Sequence, residues 1–355
     1  MRDNDYRPPI IGPLPAVPAY GSPLVAHSSL HRFPNWLVLA ALALAAVAAL
    51  AFALTAGSVD IGMAAVARAL WAPIDDAGAG YAVVRELRLP RAMAAFAVGG
   101  LLALAGTMMQ VLLRNPLADP YVLGLSGGAA CGALAALLAG ASALVTPAAF
   151  AGALLSTVIV FGLARGSGAW APTRLLLTGV VVATGWGALI MLILTSAPEA
   201  QVRGMLFWLI GDLSGATRGG PGLLALAGVL AIALLFARDA TLLARGDMTA
   251  ASLGVSVRGT TLALHALAAF ATAVAVTLAG SVGFVGLVIP HAVRLIIGND
   301  QRWLMPAAVL AGGALLTFAD TVARTLVAPA QLPVGVLTAV VGVPLFLWLL
   351  RRSAR

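Results

Sequence analysis

The sequence contains no lysine, a single cysteine and four histidines, and only 10% of its 355 residues are charged. Without lysine the chain cannot form the nucleotide-binding loop GxxxxGK[ST], so any nucleotide hydrolysis that it uses takes place on another chain. The lone Cys131 excludes an intrachain disulfide and a thiolate metal cluster. Scattered histidines and acids that lie mostly in loops do not supply the cluster that a membrane-embedded active site needs. We therefore predict that the chain is not an enzyme.

Apolar residues, by contrast, come in long blocks, since 61% of the chain is hydrophobic and the mean hydropathy is +1.01. A helix of roughly 20 apolar residues crosses a bilayer core, and the run at 35–57 shows no alternation typical of a barrel strand. We predict an all-α polytopic membrane protein with ten transmembrane helices. The predicted spans are 36–56, 90–112, 121–139, 146–164, 174–196, 220–237, 260–280, 282–297, 303–325 and 333–350.

The distribution of arginine predicts the topology. Fourteen arginines fall on the side of the termini and seven on the other side, which places both termini in the cytoplasm. Residues 1–35 hold seven prolines and are predicted to be a disordered cytoplasmic tail, followed by the permease domain at 36–355. A pI near 11.1 does not indicate nucleic-acid binding here, because the arginines lie in loops between apolar spans.

Three polar stretches interrupt the apolar blocks. ARGDMTAASLGVSVRG at 244–259 predicts a short cytoplasmic helix, with Asp247 as N-cap and Gly254 in the left-handed conformation that ends it; it is either a surface connector or a docking helix. LLRNPLADPYVLGLSGG at 112–128 is a tight turn or a gate that lines a cavity. RELRLPR at 85–91 places three arginines outside, either as a carboxylate site or as headgroup anchors.

Several ordered strings resemble one family, the permease subunits of iron-chelate, haem and vitamin B12 ABC importers, and are most similar to the haem permeases. The resemblance implies a ten-helix vitamin B12/iron-chelate permease-like fold in the bacterial inner membrane. It also implies a homodimer, two cytoplasmic ABC ATPase subunits that bind ATP, a periplasmic substrate-binding protein and no permanently bound cofactor. The strings are LRLPR (87–91), GLLALAGTMMQVLLRNPLADPYVLGLSGGAA (100–130), RLLLTGV (174–180), SLGVSVR (252–258), GFVGLVIPHAVRL (283–295), FADTVAR (318–324) and QLPVGVLTAVVGVPLFLWLLRR (331–352).

The same resemblance assigns roles to three groups of residues. The loop at 244–259 is similar to the family's ATPase-coupling helix, and the outer arginines are similar to those that receive acidic residues of the binding protein. Many relatives carry glutamate where this chain has Gln331. The groups are Asp247, Met248, Thr249, Ser252, Leu253 and Gly254 for ATPase coupling; Arg88, Arg91 and Arg324 for binding-protein docking; and Asn115, Leu117 and Thr173 for the cytoplasmic gate.

The resemblance and the lack of an obvious polar lining favour haem as cargo, with a ferric siderophore second and vitamin B12 third. His291 and His265 are expected to be structural rather than metal ligands. An ion-coupled secondary transporter is the alternative from another class, but it requires intramembrane carboxylates. Only Asp320 qualifies, and it lies one turn before Arg324, an expected i,i+4 partner.

Overall fold

A computed structural model describes residues 34–57, 59, 61–71, 80–164, 172–216, 219–328 and 330–353. Within these ranges the regular structure is helical, and a π-helical turn at Val83–Arg88 leads into α4. The predicted disordered tail lies outside the described residues except for its last two positions. The helices are α1 (Asn35–Thr55), α2 (Met63–Trp71), α3 (Gly80–Ala82), α4 (Leu89–Leu112), α5 (Leu125–Leu138), α6 (Val145–Ala164), α7 (Pro172–Ser196), α8 (Glu199–Ile210), α9 (Gly220–Leu235), α10 (Ala237–Leu243), α11 (Asp247–Ser252), α12 (Val257–Ala279), α13 (Val285–Ile297), α14 (Gln301–Thr325) and α15 (Val334–Ser353).

Each of the ten predicted spans coincides with a helix, which confirms the all-α polytopic class. Among the described residues, six segments are long and apolar enough to cross a membrane, and α9 with α10, bent by 62°, makes a seventh. Helices α5 and α13 and the apolar part of α15 are shorter. Ten complete spans therefore stay a prediction. The six segments are Asn35–Thr55, Gly80–Leu112, Ser142–Ala164, Arg174–Ser196, Val257–Ala279 and Gln301–Thr325.

Helix α4 forms the centre of the bundle. Its span is 89% buried, and it packs against α12, α13 and α14. Glycines make these close approaches possible: a Cβ on Gly99 would overlap the carbonyl oxygen of Gly312, and a Cβ on Gly106 would overlap that of Gly286. Since helices in lipid associate through close backbone packing, these glycines fix the position of α4. At the other extreme, the span in α7 is only 6% buried.

Beside this core, the C-terminal ends of α8 and α12 meet the N-terminal end of α15. The backbone N–H of Asp212, just after α8, donates to the carbonyl of Ala279 at the end of α12 (2.8 Å), and Gly335 at the start of α15 donates to Gly211 (3.2 Å). Phe284, before α13, has a left-handed φ of +69°. Non-helical backbone at membrane depth is tolerated where protein buries it. We call this region the helix junction, because its hydrogen bonds connect the ends of α8 and α12 with the start of α15.

Candidate functional site

The predicted docking helix exists as α11, but its start differs from the prediction. Gly246, with φ of +119°, precedes the helix, and no side chain caps its N-terminus. Asp247 is the first helical residue instead, so its assignment as N-cap was wrong. The physical reason is that its carboxylate is engaged elsewhere, in an ion pair with the guanidinium of Arg114.

The end of α11 is as predicted. Gly254 has a left-handed φ of +83°. Its N–H donates to the carbonyl of Ala251 (3.0 Å), and the N–H of Val255 donates to that of Ala250 (3.0 Å). These two bonds form a Schellman motif, whose usual apolar contact is supplied here by the buried Ala250 and Val255. The short helix is therefore anchored along one side.

The opposite side of α11 is open to solvent. Met248 is 88% exposed and Leu253 51% exposed. Thr249 and Ser252 are also exposed, and the Ser252 hydroxyl donates back to the Thr249 carbonyl (2.9 Å). The helix and its C-terminal cap therefore expose two large apolar side chains, Met248 and Leu253, as is typical of a docking surface. All six predicted coupling residues lie in this helix or in its C-terminal cap.

The predicted gate loop follows α4 directly and is held by its own hydrogen bonds. The Asn115 side-chain oxygen accepts from the N–H of Leu117 (2.9 Å), and the Asn115 carbonyl accepts from Ala118 (3.0 Å). Asp119 accepts from the N–H of Tyr121 (2.7 Å) and so caps the 3-10 turn Pro120–Leu123. Burial raises the pKa of Asp119 to about 6, against the opposing effect of that backbone hydrogen bond.

Two further contacts connect the gate loop to neighbouring elements. The Tyr121 hydroxyl donates to the Val282 carbonyl (3.1 Å) and accepts from the Val282 N–H (3.2 Å), in the break between α12 and α13. Helix α7 packs against the 3-10 turn and carries Thr173 as its second residue. The loop therefore touches both the central junction and the poorly buried helix α7.

At the opposite end of α4, the outer arginines come together around one cavity. Arg88 is 5% exposed, and its Nη1 donates to the carbonyls of Leu54 (2.8 Å) and Thr55 (2.7 Å). Its Nη2 donates to Val59. The carbonyls of Leu54 and Thr55 are the last two of α1 and have no donor within their own helix, so the guanidinium of Arg88 supplies it.

Arg91 makes the one buried ion pair among the described residues. Its Nε and Nη2 each lie 2.9 Å from a carboxylate oxygen of Asp320, and its Nη1 donates to the side-chain oxygen of Gln331 (2.8 Å). The expected pairing of Asp320 with Arg324 was wrong, because α4 brings a bidentate partner to the carboxylate. Arg324 donates to the carbonyl of Ala53 in α1 instead.

A cavity of about 350 Å³ opens between these groups. Among the described residues of its lining, the charged side chains are three arginines and Glu86, and Asp320 neutralises one of the arginines. We call this cavity the arginine recess. Its lining includes Glu86, Arg88, Arg91, Ser214, Arg324 and Gln331.

Neither of the two histidines on apolar helices lines the cavity between the arginines. His265 Nδ1 is 2.8 Å from the carbonyl of Thr261, and its ring contacts Phe161 edge-on at 5.5 Å. His291 is buried in α13. No group of three metal-ligating side chains occurs in the part of the chain that the structure describes.

Comparison with known proteins gives consistent matches over most of the chain. The profile of the FecCD transport family matches residues 43–352. The cobalamin import system permease protein BtuC of Halobacterium salinarum is 43% identical over 274 residues, which is 76% of this chain and 73% of that protein. The hemin transport system permease protein HmuU of Yersinia pestis is 42% identical over 314 residues, 84% of this chain and 92% of that protein.

A vitamin B12 import system permease protein BtuC of Escherichia coli is 40% identical over 281 residues, 78% of this chain and 86% of that protein. Among solved structures, an inward-facing ABC transporter described as of metal-chelate type matches with a TM-score of 0.76 at 27% identity. The match covers 90% of this chain and 99% of that one.

Proposed function

The chain belongs to the FecCD transport family and is an ABC importer permease, and on that premise we propose that it carries haem across the bacterial inner membrane. The observation that supports haem is the extent of the hemin permease alignment, 314 residues against 274 and 281 for the two cobalamin permeases. A ferric siderophore and vitamin B12 are the second and third candidates.

The exposed face of α11 supports docking to a cytoplasmic ATPase. Met248 and Leu253 are exposed apolar side chains that a groove on the partner would cover, and a few residues buried at the centre of an interface carry most of its binding energy. ATP hydrolysis then takes place on the partner, since this chain has no lysine for a phosphate-binding loop. We propose two ATPase subunits, one for each copy of the permease.

The poorly buried α7 supports a homodimer. Its exposed side carries Thr184, Gly185 and Gly187, with open space where the Cβ of each glycine would lie. Small residues allow close contacts between helices across a dimer. They would also leave room for a large planar cargo that is bound weakly. We place this cavity between two copies of α7, with both termini of each copy in the cytoplasm and ten helices crossing the membrane.

The arginine recess supports docking of a periplasmic binding protein through its carboxylates. Arg91 and Arg324 line the recess and could exchange one hydrogen-bond partner for an incoming carboxylate. Arg88 makes three bonds to backbone carbonyls, so we propose that it shapes the recess while the other two provide contacts. An ion-coupled transporter gains no support, because its candidate carboxylate, Asp320, is held by Arg91.

The test is uptake into proteoliposomes that hold the permease with its ATPase subunit, with ATP inside and a cargo-loaded binding protein outside. Haem, a ferric siderophore and cobalamin are compared. We expect ATP-dependent haem uptake, and its loss in Asp247→Arg. Uptake of only another cargo would refute haem alone, whereas uptake driven by sodium or protons without the ATPase would refute the importer mechanism.

A matched pair of substitutions tests the docking face. Met248→Ala is expected to weaken ATPase binding about 5-fold or more, the effect of losing an interface residue worth about 1 kcal/mol. Leu224→Ala is the control, because Leu224 is also large, apolar and 76% exposed but lies on α9. Equal weakening by both substitutions would contradict the assignment.

A further inference from the structure

We propose that the ion pair between Arg114 and Asp247 transmits movement of the docking helix α11 to the cytoplasmic gate loop, with Arg114 as the positioning residue. This inference rests on the proposed function, because it requires that α11 docks on an ATPase. The two side chains are 133 positions apart in the sequence. They form a direct side-chain link between α11, which would respond to ATP on the partner, and the gate loop, which would open.

The backbone at Arg114 is unusual. Its φ is +47°, and it is one of two non-glycine residues with positive φ among those described. This conformation is unfavourable for a residue with a Cβ atom and persists where the surroundings fix it, often at functional positions. Here it ends α4 directly after the last helical bonds, from Leu113 to Met109 (2.9 Å) and from Arg114 to Val111 (3.2 Å). The turn brings the guanidinium to Asp247.

Both sides of the link are stiff enough to pass on a displacement. On the α11 side, the Schellman motif and the buried Ala250 and Val255 hold the helix as a unit. On the gate side, Asn115 is the next residue after Arg114, and its two hydrogen bonds fix the loop up to Ala118. A shift of Asp247 therefore moves the gate loop as a whole rather than one flexible side chain.

The loop carries the displacement further into the bundle. Tyr121 is hydrogen-bonded through its hydroxyl to both backbone groups of Val282, in the break between α12 and α13. The 3-10 turn that begins with Pro120 also packs against α7. The link thus connects α11 with the non-helical junction and with the helix that we assign to the cargo cavity.

A purely structural role for the pair predicts a different result. The Arg114 and Asp247 side chains are 32% and 59% exposed, and exposed pairs contribute little to folding stability. Loss of the pair should therefore leave the protein folded. If the pair is a link, the complex still binds its ATPase and hydrolyses ATP, but each hydrolysis moves less cargo. The ratio of cargo imported to ATP hydrolysed distinguishes the two roles.

The experiment measures this ratio in the proteoliposomes described above, with whichever of haem, ferric siderophore or cobalamin the wild type imports. Arg114→Asn removes the charge but suits the left-handed conformation. We expect the ratio to fall about 5-fold, the upper range for an exposed pair, with ATPase affinity and thermal stability unchanged. The double variant Arg114→Asp with Asp247→Arg restores the opposite charges and is expected to recover at least half of the wild-type ratio. Arg238→Asn, which removes an exposed arginine from α10, is the control and should leave the ratio unchanged.

An unchanged ratio in Arg114→Asn overturns the inference, as does an equal fall in Arg238→Asn. Failure of the double variant to recover while it binds the ATPase normally also overturns it. In each of these cases wild-type import continues, so the proposed function stands. Absence of ATP-driven import of every cargo by the wild type refutes the proposed function and the inference together.

Discussion

Removal of the Asp320 carboxylate is expected to destabilise the permease strongly. The Arg91 and Asp320 side chains are 12% and 4% exposed, with Nε and Oδ2 2.9 Å apart. Taking one partner from a buried pair leaves an uncompensated charge and costs about 3–5 kcal/mol. Arg91 keeps its bond to Gln331, so we place the cost of Asp320→Ala at about 3 kcal/mol, near the lower end of that range.

Removal of both partners should cost much less. Replacing a buried pair with apolar residues of similar volume is often neutral or stabilising, so Arg91→Met with Asp320→Leu should unfold within about 1 kcal/mol of the wild type. A double-mutant cycle that uses Arg91→Met and Asp320→Leu as its two single variants then measures the coupling energy of the pair. Asp320→Asn retains one acceptor without the charge and should fall between the wild type and Asp320→Ala.

The assay is equilibrium unfolding of the purified permease in mixed detergent micelles, followed by helical circular dichroism and by tryptophan fluorescence. Coincidence of the two curves tests two-state behaviour. A loss below about 1 kcal/mol for Asp320→Ala is the value typical of an exposed pair. That result would refute the reasoning, since it would mean that water or lipid headgroups replace the carboxylate.

Three further predictions concern the helix packing, the gate loop and the end of α1. Gly99→Ala forces a Cβ against the backbone of Gly312 and should cost about 3 kcal/mol of unfolding free energy, whereas Gly228→Ala, which meets open space in α9, should be neutral or stabilising in the same assay. The fold raises the Asp119 pKa from 3.8 to about 6, so the stability contributed by this group is complete below pH 3.8 and is lost as pH rises through 6. Asp119→Asn should therefore be more stable than the wild type by about 3 kcal/mol at pH 7.5 and match it near pH 4. Wild-type unfolding curves that do not depend on pH would contradict this. Arg88→Met should raise hydrogen exchange in the last turn of α1 without affecting α9, because the two carbonyls of Leu54 and Thr55 there lose their donor.

The sequence predicts the helices well because their signal is local. The length of each apolar run, with proline and glycine near its ends, is sufficient to locate a helix at each of the ten predicted spans. Helix α8 was missed because Glu199, Gln201 and Arg203 interrupt its first turns and it has only 12 residues, too few for a span. Its position depends on contacts with the ends of α12 and α15, which no local pattern records.

Side-chain partners were predicted less well, for the same reason. Asp247 suits an N-cap and Asp320 suits an i,i+4 pair with Arg324 when only neighbours are considered. In the fold, each carboxylate is bound by an arginine from α4 or its end, 133 and 229 positions away in sequence. In the ion pair of Asp247 with Arg114 both partners are charged, whereas an N-cap bond joins the carboxylate to a neutral backbone N–H. For Asp320, Arg91 is placed so that it donates two bonds to the carboxylate at once. Arg114 escaped notice because its role depends on this partner and on a backbone angle that the sequence does not reveal.

The partners of the outer arginines indicate how the proposed docking would proceed. Arg91 has two bonds to the Asp320 carboxylate and one to the neutral Gln331 amide. Because a carboxylate is a stronger acceptor for a guanidinium than an amide, a docking carboxylate displaces Gln331 and leaves the buried pair intact. Gln331 lies three residues before α15, whose first turn is bonded to Gly211 at the helix junction. Docking under the proposed mechanism would therefore free the Gln331 side chain and leave in place the pair that holds α4 to α14. A glutamate at position 331 would bind the guanidinium more strongly than the amide does and would compete with the incoming carboxylate.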